Sequence, residues 1–121
     1  MENQIRVLKV EPGKPPEVTM IENTLETMQQ MVGGRIEMVD LNNRTLLVCN
    51  EEGKLVGLEG NRRLGSDIIA GTFFIAGDDG HGDLCSLNDR QLNQYSQQFA
   101  EPQSFRPGEV EEKISFTIHS M

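Results

Sequence analysis

Between Gly57 and Gly77 one stretch gathers residue types that grip small anions. Asn61 and Arg62 stand side by side, Arg63 follows, and Gly71-Thr72-Phe73-Phe74 leads into the most apolar run of the molecule. A guanidinium holds a phosphate through two parallel hydrogen bonds, and an asparagine amide offers a base or ribose both a donor and an acceptor. Glycine lets backbone N–H groups approach a ligand closely, and a phenylalanine face stacks a nucleobase, a contact worth about 1–3 kcal/mol. Asn61, Arg62, Arg63, Gly71, Thr72 and Phe74 are therefore the candidate ligand-binding set. Adjacent arginines on an extended backbone point to opposite sides, so one of them reaches a given ligand, and Arg62 beside Asn61 is the better placed. The same residues also have plain structural uses. Arg62 can pair with Glu59 or Asp67 at the surface, both phenylalanines can fill the core, and Gly71 can mark a bulge.

Other reactive side chains are scattered. Asp78, Asp79 and Asp83 surround Gly80 and Gly82 without the spacing of a calcium loop, which reads as a solvated turn. His81 and Cys85 lie four apart and His119 is remote, so no zinc motif is formed. Cys49 and Cys85 each fall in an expected strand, with no C-x-x-C pair, and read as reduced, buried packing thiols. Neither a P-loop nor a G-x-G-x-x-G pattern occurs. The expectation is a binding protein, not an enzyme, with no metal and no cofactor.

The elements that must position these residues follow from periodicity and punctuation. Ile5 to Val10 reads as a first strand closed by Glu11-Pro12-Gly13, and Val18 to Ile21 as a second, short one. Asn23 with Glu26 suits a helix N-terminus, Leu25, Met28 and Val32 share a helical face, and Gly33 suits the left-handed stop. Arg35 to Asp40 alternates, Asn42-Asn43 tolerates a tight turn, and Thr45 to Asn50 is apolar enough for burial on both faces. Arg62 and Arg63 fall in a loop, Thr72 to Ala76 is the central strand, and Asp83 to Ser86 a short return. Asn88 with Gln91 opens a second helix carrying Leu92, Tyr95 and Phe99 on one side. Pro102 and Pro107 bracket an irregular connection, and Ile114 to Ile118 alternates as a last edge strand. The fold class is α+β: a mostly antiparallel sheet with two short helices in one compact domain over residues 1–99, and a C-terminal extension over 100–121.

The totals constrain partners. A chain of 121 residues suits one domain with one core. Its net charge of −8 argues against binding a nucleic-acid backbone or an anionic membrane. Yet residues 54 to 65 hold Lys54, Arg62 and Arg63 against the single Glu59, a local reversal that suits a small anion. No membrane-spanning run or signal-peptide pattern is evident, which makes the cytoplasm the expected compartment.

Several strings point to kinship. Val10-Glu11-Pro12-Gly13-Lys14, Val32-Gly33-Gly34 with Ile36-Glu37, Asn50-Glu51-Glu52-Gly53-Lys54-Leu55, Asn61-Arg62, Asp67-Ile68-Ile69-Ala70-Gly71-Thr72-Phe73 and Ser86-Leu87 together resemble the family of domain of unknown function 3846, over roughly residues 5 to 99. The link from Asn61-Arg62 to Asp67 is shorter than the family pattern, and the tail after Phe99 is additional. The resemblance implies a phage, prophage or conjugative-element setting in a bacterial host, and no reaction. In that setting the expected function is a counter-defence sponge, holding a small nucleotide immune signal such as a cyclic nucleotide or an ADP-ribose derivative without cleaving it. The alternative is an acidic inhibitor of a host defence enzyme, of the DNA-mimic or antirestriction type. A homo-oligomer is expected, with the last strand able to pair within the chain or across to a neighbour.

Overall fold

The computed structural model describes residues 3–110. Strand β1 (Gln4–Val10) sends Ile5 and Val7 to one face and Leu8 and Val10 to the other, and all four are buried. The same holds for β4 (Thr45–Asn50) and β7 (Phe73–Asp78), whose side chains alternate between two apolar clusters. These doubly apolar strands form the centre of an antiparallel sheet ordered β2-β1-β7-β4-β3, with β2 (Glu17–Glu22) and β3 (Ile36–Asp40) as its half-exposed edges. Burial on both faces selects the central positions and polar alternation the edges. The pair Leu84–Cys85 forms β8, which joins the end of β7 through Gly77↔Cys85 and Asp78↔Leu84.

One helix covers each face. Helix α1 (Leu25–Val32) lays Met28 and Val32 on Ile5, Val7, Val48, Phe74 and Ala76. Its cap is Thr24, whose hydroxyl accepts from the Thr27 N–H at 3.2 Å, one position later than the expected Asn23. Asn23 is already engaged: its backbone N–H donates to Asn3 and its amide to the Leu84 carbonyl. Leu25 follows the cap directly and stays 58 % exposed, so the apolar face begins a turn later than its spacing suggests. Gly33 ends the helix in the left-handed region, as anticipated.

Helix α2 (Asp89–Gln98) opens on the reciprocal Asn88–Gln91 cap and lays Tyr95, with Phe99 just beyond its end, on Phe73, Ile75 and Leu47. Phe99 meets Phe73 edge to face at 5.3 Å, and the Tyr95 hydroxyl reaches the Asn42 carbonyl at 2.7 Å. The β3–β4 turn takes its positive φ at Asn43 and Arg44 instead of Asn42-Asn43.

The arginine stretch is not a loop. Gly60–Leu64 (β5) and Asp67–Ala70 (β6) pair as a hairpin, which lies beside α2 on the same face and adds Ile69 and Leu64 to that cluster. Residues 103–110 pack against the outside of β5, where a Cβ on Gly60 would fall 2.7 Å from the Phe105 ring. The Gln103 side chain accepts from the Arg63 N–H. The described part of the C-terminal extension is thus joined to the domain, while the expected edge strand Ile114–Ile118 lies outside the described residues.

Candidate functional site

Asn61 and Arg62 are consecutive and fully buried, and their side chains bond to each other, whereas a regular strand sends neighbouring side chains to opposite faces. A register shift between Gly60 and Arg62 explains it: a bulge turns both side chains inward, while Arg63 points out. The Asn61 amide donates to the Val10 and Gly71 carbonyls, both at 2.9 Å. Its oxygen accepts from Arg62 Nη1 at 2.8 Å. Arg62 then donates through Nε to the Phe99 carbonyl at 3.1 Å, through Nη1 to the Asn61 carbonyl at 3.3 Å, and through Nη2 to the Lys14 carbonyl at 2.6 Å. Burial lowers the guanidinium pKa, an effect opposed by the Glu101 carboxylate, from a value so high that the group keeps its charge. Helix α2 has no basic residue in its last turn, and Arg62 supplies the positive charge its carbonyl end favours.

The candidate set is therefore brought together only in part, and inside the fold. Asn61, Arg62 and Gly71 form a buried clasp whose donors face main-chain carbonyls and the Asn61 side-chain oxygen. Gly71, at φ +83°, is closed over by Leu58, whose Cδ1 would lie 2.6 Å from any added Cβ. Thr72 is half-buried beside it. Phe74 belongs to the opposite face of the sheet, fully buried beneath α1, so its ring is unavailable for stacking. Arg63 is the exposed member, lying over the Phe105 ring at 5.1 Å and ion-paired with Glu109.

The concave site lies elsewhere on the hairpin. A cleft of about 240 Å³ opens between β3–β4, the turn over residues 51–57 and the inner side of β5–β6. Val39, Cys49, Leu64, Ile69 and Ala70 give it apolar walls, and Glu37, Glu51, Lys54 and Asp67 bring charge. A shallower hollow adjoins it past Val39 and Leu64, toward Gln94 and Tyr95. Lys54 pairs with Asp67, whose Oδ1 also accepts from the Ile68 N–H at 2.8 Å. Glu51 meets Arg35 at 3.4 Å. The Asn50 amide bonds to the Val32 carbonyl and its oxygen accepts from the Glu52 N–H. Burial first, then the Glu37 and Asp67 carboxylates, push the Cys49 thiol up to about 12 against a smaller opposing effect of Lys54. Cys85 is only half-buried, unlike the buried thiol expected there, and neither cysteine forms a disulfide.

These lining residues were not legible as a site from spacing. Glu37 and Cys49 belong to different strands and meet because the β3–β4 register sets them directly opposite. The one available clue was the Asn43 turn, which fixes that register once the hairpin is assigned.

Asp79 organises the β7–β8 turn, accepting from the His81 N–H at 2.7 Å and the Asp83 N–H at 3.2 Å. Among the described residues no group of three His, Cys, Asp or Glu side chains is arranged to hold a metal, and no helix is long and apolar enough to cross a membrane.

Sheet, helices and hairpin define a small antiparallel α+β domain with a cleft on its α2 face. The chain belongs to the family described as domain of unknown function (DUF3846), whose model matches residues 5–100. No curated protein and no solved structure matches it.

Proposed function

We propose that the protein is a non-catalytic binding module that captures a small molecule in the cleft between β3–β4 and the β5–β6 hairpin. The observation that carries this reading is the cleft itself, a concavity with apolar walls and a few charged groups at defined positions, the usual make-up of a small-ligand site. Capture without turnover is supported by the state of its thiol, which with a pKa near 12 is almost wholly protonated at neutral pH. In the mobile-element setting that the family resemblance implies, such a module would act inside the host cell as a counter-defence sponge. The clasp at Arg62 offers no donors to a nucleotide, so a phosphorylated immune signal would have to enter a cleft with three carboxylates and one ammonium in its walls. A less charged host compound fits that cleft better.

The test is mass spectrometry of small molecules released by heating the protein after expression in bacterial hosts carrying active immune systems, with Val39→Phe as the cleft-narrowing variant. The reading expects a compound in near-stoichiometric amount from the native chain and its loss from the variant. A native chain that yields none, and that gives no calorimetric response to cyclic dinucleotides, ADP-ribose or a library of neutral and cationic compounds, overturns it. The acidic-inhibitor alternative rests on the net charge of −8 and predicts instead salt-weakened binding to a basic host protein, unaffected by Val39→Phe.

A further inference from the structure

The charges around the cleft are not equivalent, and their pairing indicates what the cleft takes. Lys54 and Asp67 answer each other, Glu51 has Arg35, and the Asn50 amide is occupied on both its atoms. Glu37 differs. It is exposed and has no ion-pair partner among the described residues, and its register opposite Cys49 puts it on the sheet face that floors the cleft. Beside it lie the apolar surfaces of Val39, Leu64 and Ile69. We infer that the cleft accepts a small organic cation, an ammonium or guanidinium group on an apolar body, with Glu37 as its counter-ion.

This inference rests on the reading of the cleft as a ligand site and adds the ligand's chemical class. Space is adequate: about 240 Å³ exceeds the roughly 150 Å³ cavity that takes up benzene. Field direction agrees as well, because Glu37 and Asp67 outweigh Lys54 at the Cys49 sulfur on the cleft wall. An anionic ligand would meet Glu37 uncompensated. A neutral one would gain the apolar walls and leave the carboxylate unused.

Three near-isosteric probes separate these cases: 2-phenylethylammonium, 2-phenylethanol and phenylacetate, titrated into the full-length protein at low salt by calorimetry, with amide chemical shifts locating the site. The expected order is ammonium, alcohol, carboxylate, with steps of about fivefold, the size one partly exposed charge pair gives. Shifts should centre on Val39, Lys54 and Ile69. Glu37→Gln should bring the ammonium to the alcohol's affinity and leave the alcohol unchanged, whereas Glu17→Gln, on the far edge strand, should change neither. Equal binding of ammonium and alcohol, tightest binding of phenylacetate, or an ammonium preference that survives in Glu37→Gln overturns the cation assignment and leaves the cleft reading standing. No binding of any probe overturns both.

Discussion

Replacing Arg62 by alanine should be among the most damaging single changes in this protein. The side chain has 0 % exposure and makes four hydrogen bonds, two of which reach carbonyls in other segments, Lys14 in the β1–β2 connection and Phe99 at the end of α2. Alanine strands the Phe99 carbonyl and Asn61 Oδ1 in the interior, at about 1–3 kcal/mol for each buried group left unsatisfied, and releases the part-buried Lys14 carbonyl. Removing the charge also removes its desolvation cost, which offsets part of the loss. The net expectation is a destabilisation of about 3–5 kcal/mol, a large fraction of the 5–15 kcal/mol typical of a domain. Urea unfolding followed by circular dichroism at pH 7 reads it directly. Arg62→Met keeps the volume and should still lose about 2–4 kcal/mol, since acceptor satisfaction and not packing dominates. Arg62→Lys should not rescue, because one ammonium cannot span acceptors lying in several directions around a planar fork. A loss below about 1 kcal/mol for Arg62→Ala would refute the clasp and return this guanidinium to the list of ligand-binding candidates.

Other outcomes follow from the same contacts. The Glu109 carboxyl is held below the usual glutamate value of about 4.3 by its hydrogen bond from Arg63 and then by the Arg106 N–H. A depressed folded-state pKa stabilises fully above the unfolded value and fades as pH falls through the folded one. Protection of the Arg63 N–H, measured relative to its intrinsic exchange rate, should therefore fall as pH drops below the usual glutamate value of about 4.3, and Arg63→Gln should weaken that dependence, leaving the part due to the Arg106 N–H. Arg44 sits at φ +55°, so Arg44→Gly should raise stability by about 0.5–1 kcal/mol in urea unfolding. Gly71→Ala should instead lower it by more than about 1 kcal/mol, because positive φ and the Leu58 contact both oppose a Cβ. In a Cys85→Ala background, iodoacetamide at pH 8 should leave Cys49 almost unmodified, with a thiolate fraction of about one in ten thousand at a pKa near 12.

Which of these features the sequence reveals depends on whether their cause is local. Strands β1, β4 and β7, the Gly33 stop and the Asn88–Gln91 cap each follow from a few neighbouring residues, and they appear where periodicity and capping chemistry put them. The cap at Thr24 departs by one residue because Asn23 is claimed by Asn3 and Leu84, contacts invisible from within the helix. Arg62 departs further. An arginine between Asn61 and Arg63, in a glycine-punctuated stretch, has every local mark of a surface group. Its burial depends on a bulge and on carbonyls from residues 14 and 99, which only the assembled fold brings within reach.

The clasp and the cleft are two ends of one device. A lone two-stranded hairpin is marginal in water, and among the described residues β5–β6 pairs with no other strand. What holds it over the sheet is Asn61 and Arg62 at the base of β5, bound to Val10, Lys14, Gly71 and Phe99, together with Ile69 and Leu64 packed on the α2 face. The inner side of the same hairpin, from Leu64 through Asp67 to Ala70, walls the cleft. Loosening the base must therefore change the shape of the site some residues away. Arg62→Met, studied at a urea concentration where it remains folded, should weaken probe binding in the cleft more than a variant of equal stability altered under α1, such as Met28→Ala. Equal weakening in the two would mean that the hairpin keeps its position by apolar packing alone, and that the buried guanidinium contributes to stability without shaping the site.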